Sequence, residues 1–250
     1  MKRILSVLVC ILAVTTLMAR DVRYAFLGDS NTWNGGVRCT NPESWTYWFM
    51  QQMQPATCYN YARSGATWTN TRETLRLPHD STAVLSPQNV LFNQVVRLLQ
   101  ATQLHLQSDP DVIIIMAGTN DAWFEQKRPG IWDMTVEEAF EIPTDQLIKK
   151  EPQEITSLAL SVRYAVETLQ LAFPMAQIVL ITPMPTTKAP QEKIRRVAEI
   201  LDGCGLAVGT PVIHLENETV ETKDGTHTSV NGARRLGQKI ASLITRYGIR

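Results

Sequence analysis

Val112-Ile113-Ile114-Ile115-Met116-Ala117 is an apolar run with no polar break, closed by Gly118. A strand with one wet face alternates apolar and polar residues; a strand apolar throughout must be covered on both faces, as in a parallel sheet. Similar runs occur from Arg23 to Gly28, Ala56 to Tyr61, Gln177 to Thr182 and Pro211 to Leu215. Between them, apolar residues fall at helical spacing. Asn89 to Gln107 presents Leu91, Val95, Leu98 and Leu99, and Glu154 to Phe173 presents Leu158, Val162, Ala165, Val166 and Leu169. Gln191 to Leu201 and Val230 to Tyr247 read the same way, and Asn41-Pro42-Glu43 predicts a capped helix start ahead of Trp45, Trp48, Phe49 and Met53. Strands alternating with helices predict an α/β fold, a three-layer α/β/α sandwich on a parallel, flavodoxin-like sheet.

The first residues stand apart from this pattern. Lys2 and Arg3 precede an almost wholly apolar stretch from Ile4 to Leu17, then Met18-Ala19 and the charged Arg20-Asp21. That is the layout of a secretory signal peptide cleaved after Ala19, and it is short for a membrane span of about 20 residues. The expected division is a signal peptide over 1–19 and a single domain over 20–250, exported to the periplasm or beyond with no stable membrane insertion after cleavage. Without Lys2 and Arg3 the chain holds 22 basic and 24 acidic side chains, which offers no basic face for nucleic acid. Cys39, Cys58 and Cys204 remain after cleavage; one disulfide can form in three ways, or all three can stay thiols.

Where the strands end, the residues change character. The first closes on Gly28-Asp29-Ser30, the second on Ala62-Arg63-Ser64-Gly65, the third on Gly118-Thr119-Asn120-Asp121, and Asp224-Gly225-Thr226-His227 precedes the last helix. In a parallel sheet such ends share one rim, where ligands bind. Each stretch alone has a plain explanation: Asp29 and Ser30 as helix caps, Gly65 as a turn residue, Asn120 and Asp121 as turn chemistry. Together they bring a nucleophile, a base, an orienting carboxylate and hydrogen-bond donors to one edge, which turn chemistry does not require. Two segments, Thr67 to Gln88 and Ala122 to Pro152, are too long for simple connections and follow strands at this rim. The second carries a short helical pattern near Thr135 to Phe140 and suits a lid or an oligomer contact.

The four blocks, in this order and across nearly the whole mature chain, resemble the SGNH or GDSL-like serine esterases and acylhydrolases. One position departs from the name-giving pattern: Asn31 stands where that family has leucine. The resemblance implies Ser30 as nucleophile, His227 as general base and acid, and Asp224 as the carboxylate that orients it. It further implies an oxyanion hole from the backbone amides of Ser30 and Gly65 and the side-chain amide of Asn120. No cofactor is expected.

Other chemistries are poorly served. A phosphate or flavin in the turn after the first strand would meet Asp29, and the glycines from Gly203 to Gly209 lack dinucleotide spacing. The scattered histidines and cysteines show no metal-ligand pattern. His105 falls in a helical pattern, His79 in a long loop, and His214 at the end of a short buried strand. Trp33, Trp68 and Trp123 each lie three residues beyond a motif residue. That regularity predicts an aromatic-lined, substrate-binding mouth suited to a sugar ring or an aromatic ester. The expected activity is a short-chain, acetyl, esterase acting on carbohydrate; the alternatives are a lipase, lysophospholipase or thioesterase for longer acyl chains, and a non-catalytic carbohydrate-binding protein.

Overall fold

The computed structural model describes residues 22–249. The expected signal peptide lies outside the described residues. A five-stranded sheet forms the middle layer, ordered β2-β1-β3-β4-β5 with all pairings parallel. Its strands are β1 (Arg23–Gly28), β2 (Thr57–Asn60), β3 (Val112–Met116), β4 (Gln177–Ile181) and β5 (Val212–Ile213). Every predicted strand is present, β1 over its full expected span and the other four trimmed at their ends. The register sets Gly28 opposite Met116 and Met116 opposite Ile181, so the three central strands finish level on one rim.

Side chains alternate between the two faces of the sheet. On one face Ala25, Leu27, Ile113 and Ile115 meet helices α3 (Leu91–Gln103), α7 (Leu158–Ala172) and α8 (Gln191–Val208) through Val95, Leu98, Val162, Val166, Val197 and Leu201. On the other, Tyr24, Phe26, Val112 and Ile114 meet α2 (Trp45–Met53) and α9 (Val230–Arg246) through Trp45, Phe49, Leu236 and Ile240. Burying each such side chain contributes about 1.5–3 kcal/mol, so the uninterrupted apolar strands account for the double cover. Phe26 sits edge-on to both Trp45 and Phe49, at 5.3 and 5.6 Å between centroids, which fixes a rigid floor beneath the end of β1.

Several local expectations need correction. Helix α2 is capped by Ser44, whose hydroxyl accepts from the Thr46 N–H, while Asn41-Pro42-Glu43 forms the preceding turn; a hydroxyl one residue from the first apolar position is the better-placed cap. The glycines from Gly203 on belong to the C-terminal end of α8, which stops at Gly209 in the left-handed conformation. His214 does not end a buried strand: β5 is a two-residue edge strand, and the imidazole lies about half exposed beside Asp202 and Glu216. His105 lies just past α3. Cys39 and Cys58 form a disulfide that ties the loop after the first rim turn to β2, and Cys204 is a buried free thiol.

The long connections are anchored. Asn93 of α3 donates to the Leu75 carbonyl and accepts from the Leu77 N–H, and Asn89 binds Ser81 through both ends of its amide. The second connection contains α4 (Thr119–Trp123), α5 (Val136–Glu141) and α6 (Thr144–Leu147). The predicted short helix is α5, and Thr135 and Glu138 close a capping box at its start.

Candidate active site

The end of β1 is held from three directions before Ser30 appears. Gly28 has φ 152°, and a side chain there would collide with the Met116 carbonyl, so only glycine allows β1 and β3 to approach this closely at the rim. Gln94, wholly buried on α3, accepts from the Gly28 N–H and donates to the Gly28 carbonyl, both at 2.8 Å. Asp29 then caps α1 (Ser30–Trp33) by accepting from the Asn31 N–H at 3.1 Å. The capping expectation therefore holds for Asp29, while the Ser30 side chain is left to point elsewhere.

It points at His227. Ser30 Oγ lies 2.9 Å from His227 Nε2, and His227 Nδ1 lies 2.6 Å from Asp224 Oδ2. The other Asp224 oxygen accepts from the backbone N–H groups of Thr226 (3.0 Å) and His227 (2.7 Å), which curls this loop around its own carboxylate. Partial burial pushes the Asp224 carboxyl up, but these hydrogen bonds outweigh it and hold the pKa down at about 2. A carboxylate on Nδ1 favours the tautomer that carries its proton there, in which Nε2 can accept from the serine hydroxyl.

The remaining candidate residues lie at the ends of neighbouring strands. As the first residue of α1, Ser30 has a backbone N–H with no intrahelical acceptor. Gly65 has φ 72°, and a side chain there would strike the Leu85 backbone and Val84. Asn120, buried in the first turn of α4, donates one side-chain N–H to the Ala66 carbonyl at 2.9 Å, which orients the amide and leaves its second N–H available. Removing that donor by Asn120→Ala is expected to lower kcat for a p-nitrophenyl ester by about 10²–10³-fold. Steady-state kinetics beside a thermal melt checks this; wild-type turnover in the variant would remove Asn120 from the site.

Two buried residues carry more than the sequence suggested. Asn31 donates from Nδ2 to the Thr226 carbonyl and accepts at Oδ1 from the Thr228 N–H, each at 3.2 Å, so one amide grips the backbone on both sides of His227. Leucine there would leave both backbone groups unpaired, at about 1–3 kcal/mol for a buried polar group. Asn31→Leu is expected to reduce kcat about tenfold with KM nearly unchanged. A rise in KM with kcat preserved would contradict this positioning role. Asp29 is the second: burial raises its pKa to about 6, with the Asn31 N–H, His227 and the Thr119 hydroxyl opposing the shift and Asp121 adding to it.

Asp29 yields a signed pH effect. Between its ordinary value of 3.8 and about 6, the unfolded chain releases this proton while the folded chain keeps it, so this group's contribution to stability declines as pH rises. Asp29→Asn keeps the capping oxygen and cannot ionise. Relative to wild type it should gain up to about 3 kcal/mol between pH 4 and pH 7, read from denaturant titrations at both pH values. A constant difference would place the ionisation elsewhere.

The tryptophans do not share one surface. Trp68 is fully buried in the core and lines no mouth; its backbone N–H, with the N–H and hydroxyl of Thr69, is bound by the buried Asp121 carboxylate. Trp33 is half-buried under the Arg63 guanidinium, 4.3 Å from its ring centroid. Trp123 is exposed and stacked on Phe124. Among the described residues no group of three or more His, Cys, Asp or Glu could hold a metal ion.

Comparison with known proteins agrees with this architecture. A carbohydrate acetylesterase from Sinorhizobium meliloti shares the fold at 18% identity and a TM-score of 0.54, over 90% of this chain and 99% of its own. A protein from Bacteroides uniformis named a GDSL-like lipase gives 19% identity and a TM-score of 0.58, over 92% and 98%. One from Bacteroides ovatus, named likewise, gives 16% and 0.60, over 91% and 100%. A search of curated protein sequences found no match. The model of the GDSL-like lipase/acylhydrolase family matches residues 26–235, and the chain belongs to that family.

Proposed function

We propose that the protein is an exported serine esterase that hydrolyses short-chain carboxylic esters, acetyl esters of carbohydrate first among them. The carrying observation is the unbroken hydrogen-bonded line from Ser30 Oγ through His227 to Asp224, at 2.9 and 2.6 Å. Ser30 Oγ attacks the ester carbonyl as His227 Nε2 takes its proton, and Asp224 stabilises the imidazolium that forms. The tetrahedral oxyanion is met by the N–H groups of Ser30 and Gly65 and the free N–H of Asn120. His227 then protonates the departing alcohol, leaving an acyl-enzyme on Ser30. Water attacks that ester with His227 again as base, and the acid and free serine are released.

The carbohydrate preference is supported by the polar company of Ser30 and by the acetylesterase that shares the fold. Exposed Val84 and Trp123 beside the rim favour longer acyl chains as a second reading. Export is supported by the apolar leader in the sequence and by the Cys39–Cys58 disulfide, which suits an oxidising compartment. The test is a p-nitrophenyl ester series from acetyl to octanoyl. Rates falling with chain length support the acetyl reading; a steady rise to octanoyl overturns it in favour of lipid esters.

A further inference from the structure

A cavity of about 710 Å³ opens between the two long connections. None of Ser30, His227, Gly65 and Asn120 lines it, but two of its walls adjoin Gly65 and Asn120. Leu85, one of its walls, is packed so closely on Gly65 that no side chain fits between them. Phe124, another wall, donates its N–H to the Asn120 carbonyl at 2.9 Å. The space therefore lies beside the turns that carry Gly65 and Asn120. An acetyl group needs only a small part of it, whereas cavities of this size enclose ligands of many ring atoms.

Its lining asks for polar partners. Asn70 is 2% exposed; its Nδ2 donates to the Ile155 carbonyl at 2.8 Å, and its Oδ1 has no partner. Arg128 is 5% exposed, and its Nε likewise has no partner. Leaving such groups unpaired costs about 1–3 kcal/mol each, a cost that a hydrogen-bonding ligand removes and an acyl chain does not. The wall also carries exposed Lys127, Glu73 and Asp133, so both signs of charge and both donors and acceptors are present. Hydroxyl groups, which donate and accept, match that mixture.

We propose that this cavity is a second substrate site, holding the oligosaccharide chain of an acetylated glycan, with Asn70 Oδ1 and the Arg128 guanidinium hydrogen-bonding its hydroxyls. The assignment rests on the serine-esterase reading for catalysis but predicts binding independently of it. Among the described residues Arg72 has no ion-pair or hydrogen-bond partner, and it is exposed, so Arg72→Trp can fill the opening without removing a contact there.

The experiment uses the exported chain, its Ser30→Ala variant and Arg72→Trp. The probes are p-nitrophenyl acetate and chemically acetylated xylose, glucose and mannose with their β-1,4-linked tetraoses. Wild type should show kcat/KM about tenfold higher for at least one tetraose than for its monosaccharide, and Arg72→Trp should erase that advantage while p-nitrophenyl acetate hydrolysis stays unchanged. Calorimetry should detect the unacetylated tetraose binding to Ser30→Ala, and a double variant that adds Arg72→Trp should lose it. Equal rates for tetraose and monosaccharide in all three series, or equal effects of Arg72→Trp on every probe, overturn the second site. Hydrolysis that survives Ser30→Ala overturns the esterase reading instead, and the calorimetric result still decides the cavity.

Discussion

Ser30→Ala is expected to lower kcat for p-nitrophenyl acetate by about 10⁶-fold, the order lost when the nucleophile of a serine triad is removed. Little else should change. Among the described residues the Ser30 hydroxyl bonds only to His227, and α1 is capped by Asp29 and tied by Asn31, neither of which the substitution touches. The thermal melt should therefore match that of wild type, and any activity left reflects binding and the oxyanion donors. A loss of only a few-fold would mean that another group, such as the neighbouring Ser64, attacks the ester.

Asp224→Asn is expected to cost about 10⁴-fold in kcat. The Asn Oδ1 still accepts from the Thr226 and His227 N–H groups, so the loop keeps its shape. The amide NH₂ then faces His227 Nδ1, and two donors cannot share that contact. Nδ1 must become the acceptor, the proton moves to Nε2, and His227 can no longer take a proton from Ser30. Because Asp224 holds its proton only below about pH 2, the wild-type carboxylate is ionised throughout the working range. The acid limb of the kcat/KM profile should accordingly not reflect this carboxyl. A variant retaining a tenth of wild-type activity would reduce Asp224 to a structural residue of its loop.

The sheet was legible because its evidence is local: β3 is apolar at every position and buried at every position. The order of the four rim blocks was legible for the same reason, since each is a short contiguous stretch. What joins the blocks was not. Asn31 meets Thr226 and Thr228 across nearly the whole chain, Gln94 meets Gly28 from another helix, and Asn60 donates to the Thr32 carbonyl at 2.8 Å. Polar residues on otherwise apolar faces were the available signal: Gln94 lies among Leu91, Val95 and Leu98 on the buried side of α3. A polar side chain there must find a partner, but sequence does not say which.

The tryptophans show the opposite failure, a pattern that was present and misleading. Equal offsets from Ser30, Gly65 and Asn120 imply equal placement only if the three turns have the same geometry. Ser30 and Asn120 open short helices, whereas Gly65 sits in a left-handed turn whose continuation is bound to Asp121, and Trp68 packs inward. The cysteine pairing was open for a similar reason, because the contact between Cys39 and Cys58 depends on how the loop after α1 returns to β2.

The most direct measurement is the reaction of the protein with a p-nitrophenyl alkylphosphonate, followed by intact-mass analysis and peptide mapping. Such a reagent captures an activated serine as a stable tetrahedral adduct. One adduct per chain, located on Ser30, formed with release of one equivalent of p-nitrophenol and absent from His227→Ala, is the predicted result. No adduct, an adduct on another serine, or undiminished labelling of His227→Ala would contradict the account of Ser30 as a nucleophile activated by His227.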